Sequence, residues 1–172
     1  MISEPIKKIL DEVLEREGWP AYTEHPNDRG GPTKGGITIR TLESWRQRRC
    51  TRLELKRLPE DEAIRILFRR YAEVQGIPRL KNSALQEQVI DNAILSGPSL
   101  AVKDLQRVVN VKDDGIIGNI TVGAIESFED VREVCNQLAT TRALRLAGFV
   151  KQNPDQIVFL VGWLRRALSF VR

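Results

Sequence analysis

The sequence predicts an all-α protein made of two helical lobes. Apolar residues recur at the three- and four-residue spacing of an α-helix in several stretches, and Gly, Pro, Ser and Thr fill the gaps between them. No run alternates between apolar and polar residues over a useful strand length. The 172 residues suffice for one compact unit or two small lobes with a real core. Gly76-Ile77-Pro78 interrupts the helical pattern, which predicts lobes over residues 1–78 and 79–172.

The first predicted helix ends at a carboxylate. Gly18 ends this helix, because glycine takes the left-handed C′ position at little cost. The apolar stripe of the helix consists of Ile6, Ile9, Leu10, Val13 and Leu14. Glu17 follows Val13 by four residues, so it is predicted to continue the buried stripe at the helix C-terminus, where the dipole disfavours negative charge. Both effects favour the protonated form, which a general acid needs.

A glycine-dense loop follows, too rich in glycine and proline to be predicted as helix or strand. It runs Asn27-Asp28-Arg29-Gly30-Gly31-Pro32-Thr33-Lys34-Gly35-Gly36. The glycines permit close approach of a ligand to the backbone, and the Thr33 hydroxyl can hold a water or a carboxylate. An acid at Glu17, a second carboxylate at Asp28 and a positioned water would suffice for glycoside hydrolysis. The alternative is a helix end followed by a solvated Asx turn.

The remainder of the first lobe is predicted to be helical. Thr38 caps a helix that carries Trp45, and Pro59 opens another with acidic residues in its first turn. At helical spacing Trp45 is interpreted as a core residue, although an aromatic ring there can also line a sugar groove. The basic stretch from Arg46 to Arg57 is interpreted as a solvated face whose long side chains cover the apolar residues within it.

The second lobe is predicted to contain a further series of helices. Asp91 and Asn92 lie amid apolar residues, which fits either a satisfied core network or the wall of a groove. Thr121 is predicted to cap one helix, and another continues up to Gln152. Asn153 then offers a cap for a terminal helix whose large apolar side chains should pack inward. These side chains are Phe159, Leu160, Trp163, Leu164 and Leu168.

Two segments resemble a known family. Glu17-Gly18, followed by Asn27-Asp28-Arg29-Gly30-Gly31-Pro32-Thr33 and then Gly36-Ile37-Thr38, is similar to the N-terminal signature of glycoside hydrolase family 108. That family contains N-acetylmuramidases found as phage endolysins and related bacterial proteins. Trp19 stands where the family usually has a second glycine. The segment from Asp91 through Ile125 resembles the predicted peptidoglycan domain that follows the family 108 segment.

The resemblance implies a lysozyme-like helical fold, with an N-terminal catalytic lobe packed on a C-terminal helical lobe. It implies that Glu17 is the catalytic residue, and an analogy with the Glu/Asp/Thr triad of phage-type lysozymes adds Asp28 and Thr33. The loop from Trp19 to Gly36 is expected to form one wall of a glycan cleft. The expected substrate contacts are Trp19, Tyr22, Asn27, Gly31 and Asp91.

The leading hypothesis is an endolysin that hydrolyses the β-1,4 bond between N-acetylmuramic acid and N-acetylglucosamine in bacterial peptidoglycan. Two alternatives stay open. One is a lytic transglycosylase, which needs an acid but no hydrolytic water, and the other is a non-catalytic peptidoglycan-binding or secretion-accessory protein. The net charge of +4 and the pI near 9.3 indicate a mildly basic surface. A DNA-binding hypothesis rests on that charge alone, so no nucleic-acid partner is expected.

No cofactor or metal is expected, because His25 is the single histidine and Cys50 and Cys135 are far apart in sequence. No stretch approaches the roughly 18 apolar residues of a membrane span. The first ten residues also lack the apolar core of a secretory signal. The sequence therefore predicts a monomer that stays in the host bacterial cytoplasm until a holin releases it to the cell wall.

Overall fold

A computed structural model describes residues 2–24 and 31–172. The chain divides into two compact units, residues 1–70 and 71–172. Helices account for 68% of the structure and strands form one small sheet, so the predicted helical, lysozyme-like fold class is confirmed. The boundary at residue 78 expected from Gly76-Ile77-Pro78 stays a prediction.

The N-terminal unit is built from four helices and three very short strands within its described residues. In chain order these are α1 Glu4–Arg16, β1 Tyr22–Thr23, β2 Thr33–Lys34, β3 Ile37–Thr38, α2 Ile39–Arg46, α3 Arg52–Lys56 and α4 Glu60–Phe68. The predicted stripe of α1 is buried, and the Thr38 hydroxyl caps α2 by accepting from Thr41 N–H at 3.1 Å. Trp45 is 37% exposed, so its interpretation as a core residue is wrong.

The small sheet is a feature that the sequence did not predict. Its order is β1-β2-β3, with Tyr22 opposite Lys34, Thr23 opposite Thr33, and Thr33 opposite Thr38. Each strand contains two residues, so none is long enough to show the alternation by which a strand is recognised in sequence. The segment expected to be an irregular loop therefore contains a β-hairpin.

The C-terminal unit is helical throughout its ordered elements. A π-helical turn, Arg69–Glu73, spans the boundary between the units, and a 3₁₀ turn, Ile77–Arg79, follows. The helices are α5 Ser83–Ser96, α6 Pro98–Val108, α7 Asn119–Glu126, α8 Val131–Gln152 and, after a 3₁₀ turn at Pro154–Gln156, α9 Ile157–Leu168. The core of the unit lies where α5, α6 and α8 pack together, with α9 against α8.

Two details of the C-terminal unit correct the sequence analysis. Helix α7 begins at Asn119, so Thr121 is not its cap; its buried hydroxyl instead accepts from Gln106 Nε2 at 3.2 Å. In helix α9, Phe159 and Leu168 are 53% and 47% exposed, so the prediction that both pack inward is wrong. The α9 side chain that is fully buried is that of Ala167.

Within residues 2–24 and 31–172, no helix is both long and apolar enough to cross a membrane. The same residues contain no cluster of His, Cys, Asp and Glu side chains suited to a metal ion.

Candidate active site

The candidate acid lies at the C-terminal end of α1. Glu17 is the C-cap residue, and its N–H donates to Val13 O at 2.9 Å. Gly18 then takes a left-handed conformation with φ 78°, as the sequence predicted, and Trp19 N–H donates back to Leu14 O at 2.9 Å. These bonds complete a tight helix end. They fix the direction in which the Glu17 side chain leaves the helix.

Glu17 is exposed, which corrects the expectation that it continues the buried stripe of α1. The reason is that the regular helix ends at Arg16, so spacing from Val13 no longer fixes the face of the next side chains. The carboxylate lies against the hairpin, where a Cβ placed on Gly36 would be 3.0 Å from Glu17 Oε2. Among residues 2–24 and 31–172 it has no ion-pair partner, so its oxygens are available to a ligand.

The hairpin beside Glu17 turns at Gly35-Gly36. Both glycines have positive φ, 51° and 73°, as a two-residue type I′ turn requires. A Cβ on Gly35 would lie 2.6 Å from Trp19 Cε3, so the indole ring occupies the space that a larger residue at position 35 would need. Glycine is therefore required at both positions for backbone conformation, and for space against Trp19 and Glu17.

Lys34 is a buried cation that holds the hairpin in place. It is 8% exposed, and its Nζ donates to Lys56 O at 2.9 Å and to Leu58 O at 2.8 Å. The same Nζ lies 4.5 Å from the centroid of the Trp19 ring, at cation–π distance. Lys34 thus links the hairpin to the last residue of α3 and to the loop that follows it, and it also contacts the Trp19 ring.

The other expected contacts in the described part of the hairpin are engaged with neighbours. The Thr33 and Thr23 hydroxyls are 2.7 Å apart, across β1 and β2. Tyr22 O–H donates to Glu24 Oε2 at 2.7 Å, and this bond to a carboxylate raises the pKa of Tyr22. Gly31 has a positive φ of 72°, and no atom of the described residues lies within 4 Å of the position that a Cβ would take there. Trp19 and Tyr22 are half-buried.

Two of the expected site residues, Asn27 and Asp28, lie outside the described residues, as does His25. Their roles stay predictions. The part of the site that the structure describes therefore consists of Glu17, the Trp19 side chain, the β1–β2 threonine pair and the Gly35-Gly36 turn.

Asp91 is a core residue, which corrects its expected role as a substrate contact. It is 5% exposed; Oδ2 accepts from Arg142 Nη1 at 2.8 Å, and Oδ1 accepts from Arg166 Nη2 at 2.6 Å. A buried carboxylate with both oxygens held by arginine has no oxygen to offer a sugar hydroxyl. Of the two roles that the sequence left open, we assign Asp91 to the satisfied core network.

Sequence reasoning missed Lys34 and Thr23. Lys34 was included only as part of the loop, because a lysine in a glycine-rich segment is typical of solvated surface. The signal that identifies both residues is the strand register, which places Thr23 opposite Thr33 and Tyr22 opposite Lys34. That register becomes available once Gly35-Gly36 is recognised as a hairpin turn.

The chemistry available at this site is proton transfer by one carboxyl group. Glu17 is accessible, has no ion-pair partner within the described residues, and lies against Gly36 of the glycine turn. A carboxyl group in this setting can protonate the oxygen of a glycosidic bond when a sugar chain lies along the hairpin.

Comparisons with known proteins place this chain in a family. The family model described as Glycosyl hydrolase 108 matches residues 10–97, and the model described as Predicted Peptidoglycan domain matches residues 100–168. None of the curated proteins matches the chain. Among solved structures it is similar to SagA of Brucella abortus, with 33% identity, a TM-score of 0.69, and coverage of 97% of this chain and 95% of that one. The family supports a lysozyme-like, peptidoglycan-hydrolysing function. The chain belongs to the glycosyl hydrolase 108 family.

Proposed function

We propose that the protein is an N-acetylmuramidase that hydrolyses the β-1,4 bond between N-acetylmuramic acid and N-acetylglucosamine, with Glu17 as general acid. The observation that carries the proposal is the position of the Glu17 carboxylate. It is exposed, it has no ion-pair partner among the described residues, and it lies against Gly36 inside the segment that matches the glycosyl hydrolase family.

In the proposed reaction, the proton of Glu17 passes to the glycosidic oxygen as the bond from that oxygen to the sugar C1 breaks. A water molecule forms the new bond to C1, and its proton passes to a base. Asp28, with Thr33, would activate this water or stabilise the positive charge that develops on the sugar ring.

The test is the release of reducing sugar ends from purified peptidoglycan by the parent and by Glu17→Gln. Glutamine keeps the size of the side chain and removes its acid, so the rate should fall by at least ~100-fold. Glu15→Gln is a matched control, because it makes the same change at another exposed carboxylate two residues earlier. Equal rates for Glu17→Gln and the parent would remove Glu17 from the reaction.

Product analysis separates the alternatives. Mass spectrometry should find reducing ends; 1,6-anhydro ends would instead identify a lytic transglycosylase. Retention of the protein on peptidoglycan without release of any sugar end would identify a wall-binding or secretion-accessory protein. Asp28→Asn should cost less activity than Glu17→Gln, and an unchanged rate would exclude Asp28 from the site.

We further propose that the protein acts as a phage-type endolysin, a monomer that stays in the host bacterial cytoplasm until a holin gives it access to the wall. Expression in a bacterial host should then cause lysis when a holin is co-expressed and should not do so alone. Lysis at the same rate without the holin would contradict this role. Light scattering of the purified protein measures its molar mass in solution, and a mass above that of one chain would contradict the monomer.

A further inference from the structure

The C-terminal unit contains a cavity that the reaction at Glu17 does not use. It has a volume of about 510 Å³ and lies among side chains of α5, α6, α8 and α9. Its apolar walls include Leu100, Leu146, Phe149 and Trp163. Cavities of this size accommodate small organic ligands and short peptides. The stacked rings of Trp163 and Phe159, with centroids 5.7 Å apart, stiffen the α9 wall.

Two arginines of α8, Arg142 and Arg145, supply the charged part of the cavity wall, beside the polar side chains of Ser96 and Gln156. Arg145 is the more accessible, with 23% of its side chain exposed; its Nε donates to Asp104 Oδ2 at 2.9 Å and its Nη2 to Ser96 Oγ at 2.9 Å. These bonds hold its guanidinium plane in one orientation. Arg142 lies beneath the wall and is 1% exposed.

Arg142 has more hydrogen-bond donors than the fold satisfies. Its Nη1 donates to Asp91, but Nε and Nη2 are buried and have no hydrogen-bond partner among the described residues. Buried donors without partners are rare in folded proteins, because each costs free energy. Burial also lowers the pKa of Arg142, an effect that Asp91 opposes and that Arg166 and Arg145 increase. An anion bound next to these arginines would stabilise their charge.

The balance of charge at the cavity is positive. Within residues 2–24 and 31–172, the buried ion pairs join three arginines, Arg142, Arg145 and Arg166, to two aspartates, Asp91 and Asp104. A fourth arginine, which also reaches Asp104, is balanced by a separate partner: Arg107 binds Asp113 at 2.7 Å. A ligand that complements both the charge and the walls therefore carries a carboxylate next to a small apolar group.

We propose that this cavity binds the C-terminal carboxylate of a peptidoglycan stem peptide, with Arg145 in direct contact, Arg142 providing charge beneath it, and the D-alanine methyl group against Leu146 and Trp163. The choice of ligand rests on the proposed function, since peptidoglycan is the polymer that would deliver such a peptide. The ligand of the site would be a stem peptide whose terminal carboxylate is free and not engaged in a cross-link.

The experiment is isothermal titration calorimetry of the full chain with three probes. The first is the tetrapeptide L-Ala-γ-D-Glu-meso-diaminopimelyl-D-Ala, the second is the same peptide with its C-terminal carboxyl group amidated, and the third is N-acetylmuramic acid. The free tetrapeptide should bind at least ten-fold more tightly than the other two. Equal binding of the amide would exclude the terminal carboxylate. Equal binding of N-acetylmuramic acid would assign the cavity to the glycan.

Three variants locate the binding. Arg145→Met removes the accessible guanidinium and should weaken tetrapeptide binding at least ten-fold. Leu146→Trp fills the cavity without touching an ion pair and should weaken binding by a similar factor. Arg165→Met is the matched control for charge, because Arg165 is an exposed arginine of α9 outside the cavity, and it should bind as the parent does. Unchanged binding by folded Leu146→Trp would overturn the proposal even if Arg145→Met fails to fold.

The Glu17→Gln variant separates this inference from the proposed function. If the cavity is a peptide site, Glu17→Gln should bind the tetrapeptide as tightly as the parent while it no longer releases sugar ends. A parent protein that hydrolyses peptidoglycan but does not bind the tetrapeptide would overturn the inference alone. A protein that binds the tetrapeptide but releases no sugar ends would overturn the proposed function alone.

Discussion

Glu17 caps the C-terminal end of α1 in the N-terminal unit, Asp91 lies within α5 in the C-terminal unit, and the protein places the two carboxylates in opposite environments. Glu17 is exposed against a glycine turn, with no ion-pair partner among the described residues. Asp91 is 5% exposed, and each of its oxygens accepts from an arginine. The same chemical group therefore serves two purposes. Asp91 is committed to the core, whereas Glu17 is left available for a ligand.

The two carboxylates should therefore differ in how much each contributes to the free energy of folding. When a buried ion pair loses one partner, the other is left as an uncompensated charge in a medium of low dielectric constant. Removing one partner therefore destabilises the folded protein strongly. An exposed carboxylate without a partner contributes little to folding, so its substitution affects chemistry and not stability. Mutations at these two residues should therefore separate stability from activity.

The largest expected effect on stability is that of Asp91→Asn. Asparagine keeps the shape of the side chain but removes the charge that compensates Arg142 and Arg166, so the free energy of unfolding should fall by about 3–5 kcal/mol. Thermal or urea unfolding measures it. Glu17→Gln should change the same quantity by less than about 0.5 kcal/mol. Equal losses for the two variants would show that Glu17 is also part of the packing.

The second effect concerns Lys34, a buried cation inside the hairpin. Lys34→Met keeps most of the length of the side chain but leaves the carbonyl groups of Lys56 and Leu58 without their donor. The free energy of unfolding should therefore fall by about 1–3 kcal/mol. Peptidoglycan hydrolysis should also fall, because Trp19 loses the ammonium group at its ring.

Lys56→Met is the matched control for Lys34→Met. Lys56 also lies over an aromatic ring, with its Nζ 4.6 Å from the Tyr22 centroid, but its side chain is exposed. Lys56→Met should therefore lower the free energy of unfolding by no more than about 1 kcal/mol. If both variants lose the same stability, the carbonyl bonds of Lys34 contribute nothing beyond the cation–π contact.

The third effect tests the contact between Glu17 and the turn. Gly36→Ala introduces a Cβ at 3.0 Å from Glu17 Oε2 in a residue with φ 73°. The left-handed conformation should cost about 1–2 kcal/mol of stability. Displacement of the carboxylate should lower the hydrolysis rate by about ten-fold, since small misplacements of a catalytic group are costly.

Gly18→Ala corrects this result for backbone strain. Gly18 has φ 78°, and no atom of the described residues lies within 4 Å of its Cβ position, so Gly18→Ala should reduce the stability by a similar amount through the backbone alone. The ratio of the two hydrolysis rates then reports the contact with Glu17. A Gly36→Ala rate equal to or above that of Gly18→Ala would show that the contact has no influence on the acid.

The parts of the molecule that the sequence predicted are those set by local rules. The apolar stripe of α1, its end at Gly18 and the Thr38 cap follow from spacing within a few residues, and all three are confirmed. The environment of Asp91 was left open because its arginines lie 51 and 75 residues away along the chain. The prediction that Phe159 and Leu168 of α9 pack inward is wrong, because nonpolar residues fill positions 157–164 without a break and spacing alone does not show which of them face α8.

The candidate site was predicted less completely, for similar reasons. The position of Glu17 at a helix end and the family resemblance both predict it as the acid. Its exposure, however, depends on where the regular helix ends and on the turn at Gly36. Lys34 is buried only because carbonyl groups 22 and 24 residues later accept from it. Such contacts between segments distant in sequence leave no periodic signal.

The smallest effect comes from a third kind of carboxylate, Glu54, which is partly exposed but paired. Bonds from Arg48 and from the Thr51 N–H lower the pKa of Glu54 from 4.5 to about 2. Because the folded protein holds this proton less tightly than the unfolded chain, the contribution to stability is complete above pH 4.5 and is lost as the pH falls towards 2. The melting temperature should therefore decrease across that interval, and Glu54→Gln should reduce the slope. Glu62, whose pKa the Arg46 bond also lowers, contributes in the same direction and leaves part of the slope in place. A slope that is identical with and without Glu54 would show that solvent screens this pair, which would confine the stabilising carboxylates of the protein to buried ones such as Asp91.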